Sequence, residues 1–78
     1  MTENRPRAFT RIYETTDHGQ LALIKARLDG TAIPYYVENE FSPLAVLGGG
    51  LWLRLFVQGS RAEEARQLVH EVVGEVSP

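Results

Sequence analysis

Between Leu51 and Val57 the chain reads LWLRLFV, and this stretch narrows the available folds more than any other. Strand side chains alternate sides, so Leu51, Leu53, Leu55 and Val57 share one face while Trp52, Arg54 and Phe56 share the other. A strand with one wholly aliphatic face must lay that face against other elements. The chain supplies two amphipathic helices for the purpose. In the first, Leu21, Ile24 and Leu28 recur at spacings of three and four, with Ala22 and Leu23 beside them and Gln20, Lys25 and Arg27 left for water. In the second, Ala62, Ala65, Leu68, Val69, Val72 and Val73 trace an apolar stripe of the same kind.

The residues between these segments act as punctuation. Thr15, Thr16 and Asp17 offer short side-chain oxygens to the first free amides of a helix. Asp29-Gly30 ends that helix, with the glycine expected in the left-handed region. Ser60 and Glu63 have the spacing of a capping box, and the second helix is expected to run to about Val73, with Gly74 fraying its end. Ala8 to Glu14, AFTRIYE, is rich in aromatic and β-branched residues and predicts a first strand. Ile33 to Glu38, IPYYVE, predicts the second, and Pro34 near its start marks an edge position because proline cannot donate to a ladder. Asn39 to Gly50 is a loop with Pro43 and three consecutive glycines, in which Leu44 to Leu47 can form one short extended piece.

The order is therefore strand, helix, strand, strand, helix. Helices alternating with strands in this way cover one face of a sheet, and a right-handed crossover sets the third strand beside the first. The expected fold is α+β: a ferredoxin-like α/β plait in βαββα order, an antiparallel sheet with two helices on one face and no final strand. At 78 residues there is room for a single core, placed over residues 8–76. Residues 1–7 are polar, charged and interrupted by Pro6, which predicts a flexible arm.

Composition excludes several chemistries. With no cysteine there are no disulfides, thiolate metal sites or cysteine nucleophiles. Met1 to Arg7 is not followed by the apolar run of a secretory leader, and no stretch approaches the roughly 20 apolar residues of a membrane span, so cytoplasmic residence is expected. A net charge of −2 gives no global attraction to nucleic acid or anionic lipid. No serine or threonine stands in a nucleophile context, and no enzymatic activity or cofactor is expected. His18 and His70 stand far apart in the chain without converging ligands, so no metal site is expected either.

What remains is a surface. If Ala8, Thr10 and Ile12 face the helices, then Phe9, Arg11 and Tyr13 point the other way and join Trp52, Arg54 and Phe56 on an aromatic and cationic sheet face. A sheet covered on one side leaves the other free, and aromatic and arginine anchors are enriched where partners bind. That predicts a protein partner or self-association as a homodimer. The alternative is that Trp52 and Phe56 complete a core under the long loop, with Phe9 folded over them. Single-stranded nucleic acid could stack on such rings. That reading is disfavoured by the acidic balance and by the lack of an RNA-recognition run with glycine between basic and aromatic residues. A small-ligand sensor would use the 39–50 loop instead: Glu38 and Glu40 share one strand parity, and Gly48, Gly49 and Gly50 could present backbone amides to an anion. The glycines precede a strand, whereas phosphate-binding loops precede a helix, so a hairpin connection is the simpler reading.

IYETTD (12–17), LALIKARLDG (21–30), AIPYYVENE (32–40), the strand ending LFV and AEEARQLVHEV (62–72) together resemble the putative prokaryotic signal-transducing protein family. This is a domain of unknown function with a ferredoxin-like, PII-related fold. The resemblance spans roughly residues 9 to 73 and implies a regulatory role without a catalytic site. The Phe41 to Gly50 connection is short beside the nucleotide-binding loop of PII regulators, and Gln58-Gly59 replaces the family's apolar residue and proline before the second helix. ATP and 2-oxoglutarate binding are accordingly not carried over.

Overall fold

The aliphatic face of LWLRLFV is where the fold closes. In the computed structural model, which describes residues 8–40, 42 and 51–76, the elements are β1 (Phe9–Thr15), α1 (His18–Asp29), β2 (Tyr35–Glu38), β3 (Leu53–Gln58), a turn of 3-10 helix (Gly59–Arg61) and α2 (Ala62–Val76). β3 lies between β1 and β2 and runs antiparallel to both. The βαββα order and antiparallel sheet fit a ferredoxin-like plait with three strands among the described residues. The arm expected over residues 1–7 and the short extended piece at Leu44 to Leu47 lie outside the described residues.

Leu53, Leu55 and Val57 on β3 are all fully buried. Against Leu55 and Val57 pack Ile24 and Leu28 from α1 and Ala62, Ala65, Val69 and Val72 from α2, with Ile33 closing the end near β2. Leu21 and Leu53 form a smaller cluster with Val37 and Leu51. Both helices therefore bury their stripes on the same side of the sheet, as the spacing predicts. Pro34 precedes β2, which occupies an outer position, and its carbonyl accepts from the Gln58 amide at 3.0 Å. The proline thus contributes its one usable backbone group.

The helix ends show which local signals the chain uses. Asp17 is the N-cap of α1, its carboxylate accepting from the Gln20 amide at 3.0 Å, while the Thr15 hydroxyl accepts from the Asp17 amide at 3.0 Å. At the other end Gly30 has φ −80, so the expected left-handed glycine is corrected: its amide still donates to Arg27, and the chain continues to wind. Reversal falls to Ala32, at φ 65, after the Thr31 hydroxyl has donated to the Leu28 carbonyl at 2.8 Å. The expected Ser60–Glu63 capping box is also corrected. The chain enters α2 through the 3-10 turn with no side-chain cap, and Arg61 instead pairs through two contacts with Glu64. α2 runs on to Val76 rather than stopping near Val73, because Gly74 is exposed with open space around its Cα and breaks no packing.

Leu55→Ala, at a fully buried site on the central strand, is expected to cost about 3 kcal/mol, and Asp17→Ala about 1 kcal/mol through loss of the cap. Denaturant titration checks both. A Leu55→Ala midpoint indistinguishable from wild type would contradict the placement of β3.

Candidate functional site

No described element covers the second face of the sheet, and its composition follows from strand register. Tyr36 stands directly opposite Phe56, and the two rings stack with centroids 4.9 Å apart and planes 1° from parallel. Phe9, from the far strand, meets Tyr36 edge-on at 5.3 Å and 61°. Since β3 separates β1 from β2, this contact carries the Phe9 ring across the central strand. The cluster spans all three strands in geometries that aromatic quadrupoles favour.

Charged residues extend the face along the sheet. Glu14 accepts from Arg54 Nε at 2.8 Å and from Arg11 at 3.3 Å, and Arg54 also lies 3.7 Å from Glu38. The strip alternates sign across the strands as Arg11, Glu14, Arg54 and Glu38, and its two cations balance its two anions. These side chains are between about a third and half exposed, so each pair contributes at most about 1 kcal/mol. Their main effect is to hold the Arg54 guanidinium between Glu14 and Glu38. Trp52 lies just before β3 and is 51% exposed, and the 43–50 stretch of the loop expected over it lies outside the described residues. Its carbonyl is held by the Asn39 side-chain amide at 2.9 Å.

Tyr13 is the correction to the expected surface. The β1–β3 register shifts between Arg11 and Tyr13, so that Arg11 pairs with Phe56 but Tyr13 pairs with Leu55. One extra residue, Ile12, occupies the bulge, and every side chain after it changes sides. Tyr13 therefore packs with the core, its hydroxyl donating to Gln20 Oε1 at 2.7 Å. Glu14 takes the place on the open face that strict alternation gave to Tyr13. Phe9, Arg11, Arg54 and Phe56 fall where the alternation placed them, while Trp52 precedes the paired part of β3. Tyr36 was missed, although its signal was present: in YYVE, Tyr36 and Glu38 share the parity opposite to Tyr35 and Val37.

In the second candidate, Glu38 and Glu40 do not converge. Asn39, at φ 71, turns the chain between the two carboxylates. Glu38 stays on the sheet face near Arg54, while Glu40 bonds to Lys25 on α1. Gly48, Gly49 and Gly50 lie outside the described residues. His18 and His70 are both exposed, and no group of three or more His, Cys, Asp or Glu side chains among the described residues could hold a metal ion.

One titrating group is strongly perturbed. Burial, the hydrogen bond from its hydroxyl to Asp29 at 2.7 Å and the negative charges of Asp29 and Glu40 push Tyr35 from 10.0 up to about 12. All of these disfavour the phenolate.

Residues 9–73 match the family described as putative prokaryotic signal transducing proteins, which is most of the chain. The chain belongs to this family. No curated protein and no solved structure matches it. Among the described residues no helix is long and apolar enough to cross a membrane.

Because the folded state raises the Tyr35 pKa, the stabilisation from its neutral hydroxyl is present below pH 10.0 and lost as pH rises through about 12. A phenolate absorbance titration is expected to show a late component near 12 that Tyr35→Phe removes. Persistence of that component in the variant would contradict the assignment.

Proposed function

We propose that this chain is a non-enzymatic module of a signalling system that works by binding protein through the open face of its sheet. The observation that carries the reading is the array of Phe9, Tyr36 and Phe56, each partly buried by its neighbours on a face that no described element covers, with Trp52 half exposed just before β3. Soluble domains rarely leave aromatic clusters of this kind in water unless a partner covers them. The ion strip supports a protein over a nucleic acid. Both arginines are already matched by carboxylates, so the face has no surplus positive charge for phosphates. The family description, signal transduction, agrees with a binding role.

A second copy of the chain fits this surface. A face with equal numbers of arginines and glutamates in alternation can meet its own two-fold image with opposite charges adjacent and aromatic rings in contact. A domain of this size also gains proportionately from burial in a dimer.

Light scattering across a concentration series tests the reading. The wild-type mass is expected to rise from monomer toward dimer, while Trp52→Ala and Phe56→Thr shift the midpoint upward by about tenfold or more, equivalent to ~1.4 kcal/mol. Both variants should keep the wild-type circular dichroism spectrum. If the wild type remains monomeric, affinity purification from the native cell becomes the deciding arm. A captured protein retained equally by both variants would overturn the surface assignment.

A further inference from the structure

The open face is one of two unfinished surfaces. The other lies at the outer edge of β1, where a groove of about 270 Å³ runs between the strand and α2, lined by Ile12, Tyr13, Arg66, Val69, His70 and Val73. Among the described residues β1 pairs only with β3, so its outer row of backbone N–H and C=O groups has no strand beside it. Such an edge is a template for another strand. The same bulge that removes Tyr13 from the open face turns both Ile12 and Tyr13 toward the helix layer, where they pack beside the core and floor the groove. Val69 and Val73 of α2 form its apolar wall.

We propose that this groove binds an extended peptide segment of a partner protein, apolar on alternate residues and bearing a carboxylate, which adds to the β1 edge beneath α2. Charge selects the occupant. Arg66 gives the rim its positive charge, and His70, one helical turn further along α2, offers ring nitrogens beside it. Arg66 is half exposed, and its contact to Glu63 is long, at 3.5 Å, with Glu63 94% exposed, so solvent screens that pair. An acidic side chain held in the groove would compete for Arg66 from a less hydrated position.

A second copy of this chain meets the requirement poorly. The helix-side residues of β1 are Thr10, Ile12, Tyr13 and Thr15, and those of β2 are Tyr35 and Val37, none of them acidic. Pairing β1 with its two-fold image would also bring Arg66 toward Arg66. The bulge further restricts regular pairing to a short stretch on either side of Ile12, which suits one short segment and discourages open-ended strand addition. The inference is independent of the open face.

The test is an amide-shift titration of the whole labelled chain with a short blocked peptide, Thr-Val-Thr-Glu-Thr-Val-Thr, whose valines and glutamate share one side of the strand. Saturable shifts are expected at residues 9–15 and at the His70 ring. Replacing glutamate by lysine in the peptide should weaken binding about tenfold or more, and a central proline should abolish it. Arg66→Glu should reverse the preference between the acidic and basic peptides. Trp52→Ala should leave the affinity unchanged, which separates this site from the open face. Absence of shifts at millimolar peptide, shifts confined to Tyr36, Arg54 and Phe56, or equal affinity for the lysine peptide would each overturn the proposal.

Discussion

Every other feature of this domain depends on one act of burial, the seating of Leu53, Leu55 and Val57 beneath two helices. β3 is the central strand, so its aliphatic side fixes where α1 and α2 must lie and which residues of β1 and β2 can join them. The helices take one side of the sheet, and the chain has no further described element for the other. The aromatic face is thus a consequence of the core. Once Leu55 points inward, Phe56 must point outward, and its stacking partner Tyr36 follows by register.

The β-bulge at Ile12 decides how the two unfinished surfaces divide the remaining residues. Without it, Tyr13 would extend the aromatic cluster and Glu14 would face the helices opposite Leu53. With it, Glu14 completes the ion strip around Arg54, and Tyr13 bonds to Gln20 at the first turn of α1 while flooring the edge groove. A single inserted residue therefore makes one face electrically neutral and the opposite edge apolar with a cationic rim. Mixed neutral faces favour contact with protein surfaces over polyanions, and apolar edges favour strand addition.

Much of this was legible in the residues, for identifiable reasons. Period-two alternation in LWLRLFV and the helical spacing of Leu21, Ile24 and Leu28 are strong signals because each side chain is buried by the same element that its spacing predicts. Pro34 marked the edge strand through its missing donor, and Asp17 marked the start of α1 through its oxygen. The bulge was not legible, because FTRIYET contains no glycine or other local cue at Ile12, and it exists only in relation to the partner strand. The same limit hid the separation of Glu38 and Glu40. Their shared parity is broken by the positive φ of Asn39, a conformation asparagine tolerates without requiring it. Gly30 and Ala32 show the converse: the residue best suited to the left-handed region is not the one that enters it, because hydrogen bonds from Gly30 and Thr31 prolong the helical winding.

The central claim is that the chain covers one side of its sheet and leaves the other for a protein. Paramagnetic broadening of side-chain proton signals by an inert soluble agent reads this side by side in one sample. At low concentration the ring protons of Phe9, Tyr36, Phe56 and Trp52 should broaden strongly while the methyls of Leu53, Leu55 and Val57 do not, and the rings should become protected as the concentration rises or a partner is added. Rings protected to the same degree as the Leu55 methyls at every dilution would show that the chain covers this face itself, and would contradict the account.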